Sequence, residues 1–176
     1  MRQIKYFVAS SLDSYISRED GGVDWLFMDQ DYGMKEFFAS VDVAVMGRKT
    51  YQKALELSPS GPLFPGMKNY VFSHLLPKGK REHIEVVSDP PELWAESVRA
   101  QPGKDIWLVG GGEMVREFLQ KRLVNEIGIS IHPRLLGDGI ALFAQPYPET
   151  ELELVRSKQY PSGLLQVFYR VRGSLA

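Results

Sequence analysis

The stretch Ile106-Trp107-Leu108-Val109-Gly110-Gly111-Gly112 decides the fold of this chain. Its four apolar residues predict a buried strand, and the three glycines that follow predict a turn whose backbone is open to close approach. Backbone N–H groups and the helix dipole favour an anion at a strand–turn–helix junction. A tight turn without a ligand is the alternative. Apolar residues at helical spacing complete the junction: Met114, Val115, Phe118, Leu119 and Leu123.

Outward from this junction, the hydrophobic pattern predicts alternating strands and helices. Continuous apolar segments predict strands at 5–10, 43–46, 69–73, 84–87 and 106–109. Helices are predicted at 31–40, at 49–55 and after Asp89, which is expected to cap the third one. Alternating residues at 126–132, 151–155 and 165–172 predict half-exposed antiparallel strands. The sequence therefore predicts an α/β fold: one domain over 1–176, with a mixed sheet, helices on both faces and antiparallel strands at the C-terminal end.

Composition narrows the possible functions. The chain has 176 residues, no cysteine and a formal net charge of −1, which argues against nucleic acid as a partner. No apolar stretch approaches the roughly 20 residues of a membrane span, so no membrane association is expected. The lack of cysteines and of a signal-peptide pattern favours a cytoplasmic setting. No metal site is predicted, because His132 lies on the polar face of its strand without suitably spaced partners.

A second motif, Met46-Gly47-Arg48-Lys49-Thr50-Tyr51, closes another buried strand. Gly47 allows a ligand to approach the backbone, Arg48 offers a fork of donors suited to phosphate, and Thr50 offers a hydroxyl and an N–H at a helix start. An arginine after a strand is also a common surface ion-pair partner. Together with the glycine triplet, the motif suggests a clamp for a dinucleotide phosphate.

Three segments resemble the dihydrofolate-reductase-like superfamily over roughly residues 4 to 143. Residues 46–51 resemble its M-G-R-x-T-[WY] motif, residues 64–73 its P-G-R-x-N strand ending in serine, and residues 109–112 with Phe118-Leu119 its G-G-G turn and helix. The segment 9–17 is similar to S-L-D-G-[YF]-I-A of one branch. That branch holds the reductase domain of the bifunctional riboflavin-biosynthesis deaminase–reductase and small stand-alone relatives. Ser14 departs from it, because the branch usually has glycine there.

The resemblance implies that the chain binds NADPH. Arg48 would hold the adenosine 2′-phosphate, Thr50 the pyrophosphate, and Ser73 would lie near the adenosine. The glycine triplet would pack against the pyrophosphate and the nicotinamide side. The full set of implied cofactor-binding residues is Gly47, Arg48, Lys49, Thr50, Ser73, Gly110, Gly111, Gly112 and Glu113.

The implied catalytic residues are Asp13, which would orient the substrate, and Asp31. Asp31 shares a predicted helix face with apolar residues, so its carboxylate is expected to look into an apolar cleft, where burial would raise its pKa and allow it to donate a proton. The alternative, which the start of the helical pattern at Asp31 favours, is that Asp31 caps the helix, with ordered water supplying the proton. Ser11, Trp25 and Phe38 are candidate pocket residues alongside Asp13; the alternative for Trp25 is that it anchors its loop to the core.

The sequence therefore predicts an NADPH-dependent reductase that transfers a hydride to a C=N or C=O carbon of a small heterocyclic or sugar-like substrate, resembling 5-amino-6-(5-phosphoribosylamino)uracil reductase. Met67 occupies the position where dihydrofolate reductases carry an arginine for the folate carboxylate, which argues against folate. Two alternatives stay open: a dihydrofolate or pterin reductase, and an NADPH-binding sensor without catalysis. A homodimer is expected from the riboflavin relatives and from the alternating C-terminal strands.

Overall fold

The computed structural model describes residues 1–57 and 63–175, in which strands and helices alternate for most of the length. The secondary-structure elements follow one another in this order: β1 (Ile4–Ser11), β2 (Tyr15–Ser17), α1 (Met34–Ser40), β3 (Val41–Gly47), α2 (Arg48–Leu57), β4 (Lys68–Phe72), β5 (Gly79–Lys80), β6 (Glu85–Val87), α3 (Pro91–Arg99), β7 (Asp105–Gly110), α4 (Gly112–Gln120), β8 (Glu126–His132), β9 (Ile140–Ala141), β10 (Leu152–Gln159) and β11 (Leu165–Val171).

Within the described residues, nine strands form one sheet in the order β10-β11-β8-β1-β7-β3-β4-β6-β5, and β2 pairs with β9 separately. The strands from β8 to β6 run parallel to one another, whereas β5, β10 and β11 pair antiparallel with their neighbours. The carboxyl ends of β1, β3, β4, β7 and β8 therefore lie along one edge, which is where ligands bind in sheets of this kind.

Helices cover both faces of the sheet. On one face, Trp94 of α3 and Phe118 of α4 pack in one core cluster with Tyr6 and Leu108. On the other face, α1 and α2 pack over a second cluster that includes Trp107. Both faces of the central strands are buried, which explains why their sequences are continuously apolar. The predicted α/β fold with a mixed sheet and C-terminal antiparallel strands is confirmed.

Two details of the prediction are wrong. β8 is parallel to β1 as well as antiparallel to β11, and its polar face is buried, including Ser130 and His132. Asp89 does not cap α3: Pro90 precedes the first helical residue, and the Asp89 carboxylate accepts a hydrogen bond from Lys78 Nζ at 2.7 Å. Because a proline forces the residue before it into an extended conformation, Pro91 moves the helix start one residue further on than predicted.

Across residues 1–57 and 63–175, no helix is long and apolar enough to cross a membrane.

Candidate nucleotide and substrate site

The two sequence motifs meet at the carboxyl edge of the sheet. Strands β3 and β7 are adjacent, and Met46 pairs with Gly110. Each strand leads directly into a helix: α2 begins at Arg48 and α4 at Gly112. The first N–H groups of a helix have no partner within it, so two sets of free donors face this edge.

Glycine residues keep the junction between β7 and α4 open. A β carbon at Gly111 would lie 3.2 Å from Thr50 Oγ1, and one at Gly112 would lie 3.0 Å from the Cβ of Ala144. Gly110 has a φ of 128°, a conformation that side chains rarely adopt. The triplet is therefore required by the close approach of Thr50 and Ala144 and by the backbone at Gly110.

The charges at this edge are mixed. Arg48 is half-buried, and its Nη1 donates to Gln52 Oε1 at 2.8 Å. Lys49 Nζ lies 3.7 Å from Glu113 Oε1, and both side chains are largely exposed. A carboxylate repels phosphate, so Glu113 is suited to contribute its backbone N–H rather than its side chain. Within the motif at residues 46–51, the guanidinium of Arg48 is the group suited to bind an anion.

Ser73 lies at the end of β4 and is buried. Its Oγ accepts hydrogen bonds from the N–H groups of Leu75 and Leu76 at 3.1 and 3.0 Å. The hydroxyl oxygen therefore stabilises the turn after β4, and only its proton is left to donate to a ligand. Its predicted contact with the adenosine stays a prediction.

The turn after β1 ties two loops together. The Asp13 carboxylate accepts hydrogen bonds from the N–H groups of Leu136 and Gly137 at 2.8 to 3.1 Å. A hydrogen bond from the Ser11 side chain, together with these N–H groups, lowers the pKa of Asp13. The carboxylate is thus engaged with the loop after β8, and the substrate-orienting role predicted for it stays a prediction. Ser14 in this turn has a φ of 67°, the left-handed conformation that glycine would favour.

The burial predicted for Asp31 is wrong. Asp31 is exposed, and its carboxylate accepts a hydrogen bond from the N–H of Lys35 at 3.1 Å, while its carbonyl accepts one from the N–H of Met34. Gly33, with a φ of 78°, stands between Asp31 and the helix and moves the helix start to Met34. Asp31 therefore stabilises the beginning of α1 from outside the helix, whereas the N-cap position predicted for it belongs to Gly33.

Trp25 is buried, with 4% of its surface exposed, and packs edge-on against His132 at 5.3 Å between ring centroids. Phe27 contacts the same imidazole at 5.1 Å. This packing favours the interpretation of Trp25 as the anchor of its loop. The Nε1 of Trp25 is buried without a hydrogen-bond partner among the described residues, so it leaves one donor free.

Phe38 belongs to a different aromatic group on the same face of the sheet. It lies 5.4 Å from the ring of Trp107, which Phe37 and Phe64 also contact at 5.6 and 4.6 Å. Trp107 is held in place by a hydrogen bond from its Nε1 to the carbonyl of Phe7 at 3.1 Å. Phe38 is partly exposed, so it forms the outer wall of this group.

Sequence analysis missed a buried polar network beside the site. Gln166 Nε2 donates to Ser130 Oγ at 2.9 Å and to the carbonyl of Tyr32 at 2.8 Å. Its Oε1 accepts a hydrogen bond from the hydroxyl of Tyr160 at 3.0 Å. Gln166 and Ser130 occupy the polar side of alternating strands, and this alternation suggested solvent. The aromatic residues Tyr32 and Tyr160 were the signal that this side is covered.

His132 was also missed. It is 3% exposed, its Nδ1 lies 3.2 Å from the carbonyl of Ser130, and it pairs with Ser11 across β8 and β1. Burial lowers the pKa of His132 below its ordinary value of 6.5. The structure thus groups Ser11, Asp13, Trp25 and His132 at one place, and the predicted phosphate-binding residues at the neighbouring strand ends.

The chain is similar to known proteins along almost its whole length. Residues 2–166 match the family described as the RibD C-terminal domain. The uncharacterized protein YwjB of Bacillus subtilis (strain 168) is 32% identical over 162 residues, which cover 90% of this chain and 92% of YwjB. A putative riboflavin biosynthesis protein from Shewanella sp. PV-4 has the same fold, with a TM-score of 0.85, 24% identity and coverage of 97% of this chain and 99% of that one.

A larger protein also contains this fold. The diaminohydroxyphosphoribosylaminopyrimidine deaminase/5-amino-6-(5-phosphoribosylamino)uracil reductase of Thermotoga maritima is 16% identical, with a TM-score of 0.73. The similarity covers 97% of this chain but 56% of that protein. At this level of identity the likeness concerns the fold alone.

Proposed function

The chain belongs to the RibD C-terminal domain family, and from that membership and the geometry of the site we propose that it is an NADPH-dependent reductase. Its substrate would be a small heterocyclic or sugar-like molecule with a reducible C=N or C=O carbon. The solved structure from Thermotoga maritima with this fold is named as a reductase of a phosphoribosylaminouracil, which suggests that class of substrate first.

One observation carries the proposal: Arg48, Thr50 and the glycine triplet converge at the ends of two adjacent strands. Side-chain-free backbone, two helix N-termini and a guanidinium are the groups that a dinucleotide with an extra phosphate requires. A β carbon at Gly111 would narrow the space beside Thr50, so the glycine fits a site in which a phosphate approaches the backbone.

The residues of the site would divide the work as follows. Arg48 would bind the 2′-phosphate, and the N–H groups at the start of α2 and α4 would bind the pyrophosphate. Bound NADPH supplies a hydride from its nicotinamide ring. The aromatic group around Trp107, with Phe38 outermost, would hold the substrate and exclude water from it.

The proton that accompanies the hydride needs a source. Asp31 is exposed, and its carboxylate is engaged with the N–H of Lys35 at the start of α1. Asp13 is held ionised by its hydrogen bonds, which lower its pKa. We therefore propose ordered water as the proton source.

Dihydrofolate is a weaker candidate substrate. Met67 has no charge to offer a carboxylate, and the neighbouring Lys68 is engaged elsewhere: its Nζ lies 3.3 Å from Glu85 Oε2 and 4.6 Å from the centre of the Tyr70 ring. Turning Lys68 toward a folate tail would give up both contacts. An NADPH-binding sensor remains the alternative of another class, and only turnover distinguishes it from an enzyme.

The test is a fluorescence titration with NADPH and NADH in parallel. We expect NADPH to bind more tightly, and Arg48→Gln to weaken NADPH binding by about 10- to 100-fold, as the loss of a charged phosphate contact does, while leaving NADH binding unchanged. Arg170→Gln on the distant strand β11 is the control and should bind as the wild type does. If neither NADPH nor NADH binds, the result contradicts the proposal.

Turnover is measured separately, as NADPH oxidation with pterins, pyrimidines and aldoses. Oxidation with a pyrimidine, but not with dihydrofolate, would support a riboflavin-type reductase. Oxidation with dihydrofolate would favour the pterin alternative. Binding of NADPH without turnover of any substrate would favour a sensor.

A further inference from the structure

One ion pair connects the beginnings of the two helices at the proposed nucleotide site. Lys49 is the second residue of α2, Glu113 is the second residue of α4, and Lys49 Nζ lies 3.7 Å from Glu113 Oε1. Among the described residues, neither side chain has another ionic partner. The pair therefore links the two helix starts whose N–H groups are suited to bind a pyrophosphate.

The start of α4 has backbone donors that no protein group uses. Gly111 stands at the N-cap position, where it offers no side chain to the helix. Its carbonyl accepts hydrogen bonds from the N–H groups of Met114 and Val115, whereas those of Gly112 and Glu113 have no backbone partner within 1–57 and 63–175. An anion that approaches these free donors therefore also approaches the carboxylate of Glu113.

Glu113 is the acidic residue of the first turn of α4, and the first turn of α2 has none. A negative charge at this position is stabilised by the dipole of α4 and by Lys49. These are the same positive groups that a pyrophosphate would use. The carboxylate and the pyrophosphate therefore compete, and repulsion between them acts within the Debye length of about 8 to 10 Å.

The ion pair is suited to exchange. Its distance of 3.7 Å is longer than a hydrogen bond, and the side chains of Lys49 and Glu113 are 77% and 74% exposed. Exposed pairs of this kind hold their partners weakly. A pyrophosphate carries more negative charge than one carboxylate, so it is the stronger partner for the ammonium group of Lys49.

We propose that Glu113 is an internal competitor of the nucleotide. It binds Lys49 in the empty protein and gives Lys49 up to the pyrophosphate when a dinucleotide binds, and it thereby limits the affinity for that dinucleotide. The inference rests on the proposed function, because it needs a dinucleotide at this site. It adds to that function a residue that opposes binding.

The first test is a titration of Glu113→Gln with NADPH and with NADH. We expect both nucleotides to bind about 3- to 5-fold more tightly than to the wild type, because the pyrophosphate is common to both and one repulsion is removed. This result differs from that expected for Arg48→Gln, which changes NADPH binding alone. Glu117→Gln is the matched control: it makes the same change of charge one turn further along α4 and should bind as the wild type does.

The outcomes separate this inference from the proposed function. If the nucleotides bind to a folded Glu113→Gln no more tightly than to the wild type, the inference is overturned and the proposed function stands. An equal gain in Glu117→Gln also overturns it, because the effect then comes from net charge. If neither the wild type nor Glu113→Gln binds a nucleotide, both are overturned. Circular dichroism verifies that each variant is folded.

A double-mutant cycle tests the exchange of partners. In the wild type Lys49 must leave Glu113 before it binds the pyrophosphate, so Lys49→Gln should cost less there than in Glu113→Gln. We expect Lys49→Gln to weaken NADPH binding about 2-fold in the wild type and about 5-fold in the Glu113→Gln background. Lys53→Gln, one turn further along α2, is the control and should have the same small effect in both backgrounds. Equal losses for Lys49→Gln would show that the pair persists in the complex and would refute the exchange.

Discussion

Gly111 and Thr50 come so close that a β carbon on Gly111 would stand 3.2 Å from the Thr50 hydroxyl oxygen. The two residues lie 61 positions apart in the chain: Thr50 is in the first turn of α2 and Gly111 directly precedes α4, and these helices follow two adjacent strands. A contact of this length is tighter than most β carbons tolerate. The space between Gly111 and Thr50 therefore has room for backbone atoms and for a bound ligand, but not for another side chain.

Replacing Gly111 with alanine tests whether NADPH occupies the space beside Gly111. Gly111 has a φ of −64°, so alanine fits the backbone, and the new methyl group displaces only the Thr50 side chain. We expect the affinity for NADPH to fall by roughly 10-fold, about 1.4 kcal/mol, with little change in thermal stability. Fluorescence titration and thermal unfolding measure the two effects. Unchanged NADPH affinity in a folded Gly111→Ala protein would argue against a nucleotide in this turn.

Ser14→Gly should stabilise the protein. Ser14 has a φ of 67°, which costs a non-glycine residue about 1 kcal/mol, partly offset by the greater freedom of glycine in the unfolded chain. We expect the free energy of unfolding to rise by about 0.5 kcal/mol, measured with urea. The control Ser97→Gly, in the exposed part of α3, should lower it by a similar amount. A decrease for Ser14→Gly would show that the serine side chain stabilises the turn.

His132 should make folding stability depend on pH. Burial lowers its pKa in the folded protein, so the unfolded chain binds the proton more tightly. Stability is therefore complete above about pH 6.5, the ordinary pKa of histidine, and declines as the pH falls from there toward the lowered pKa. We expect the decline to be smaller in His132→Phe and unchanged in His74→Phe, whose histidine is exposed. Urea unfolding at several pH values checks this, and an equal decline in both variants would contradict it.

Asp31→Asn separates the two roles considered for Asp31. If the carboxylate only stabilises the start of α1, asparagine can accept the same N–H hydrogen bond. We expect a loss of less than about 1 kcal/mol in stability, and a pH profile of NADPH oxidation like that of the wild type. Loss of the alkaline limb of that profile, where a general acid becomes deprotonated, would show that Asp31 donates the proton. Asp29→Asn is the control, because Asp29 accepts a hydrogen bond from Tyr32 in the same loop.

The sequence predicted the elements that have strong periodicity or special backbone requirements. These features are the glycine triplet, the Arg48 motif and the central strands. Each depends on residues that are close together in the chain, so its pattern can be recognised from the sequence alone. These features account for the fold and for the convergence of the phosphate-binding residues.

The errors concern burial, which depends on residues far away in the chain. Gln166 and Ser130 alternate with apolar neighbours as surface residues do, yet Tyr32 and Tyr160 cover them. Asp31 was expected in an apolar cleft because of its helix face, but Gly33 delays the helix and leaves it outside. The hydrogen-bond partners of Asp13 were not predicted, because they lie in the loop after β8, more than 120 residues away. No local pattern carries such information.

The position of β1 governs when this protein can fold during its own synthesis. β1 leaves the ribosome first, but it lies at the middle of the sheet between β7 and β8, which are made more than 100 residues later. At roughly 5–20 residues per second, the nascent β1 waits on the order of 5–20 s with both edges unpaired. The sheet therefore closes only when translation is nearly complete.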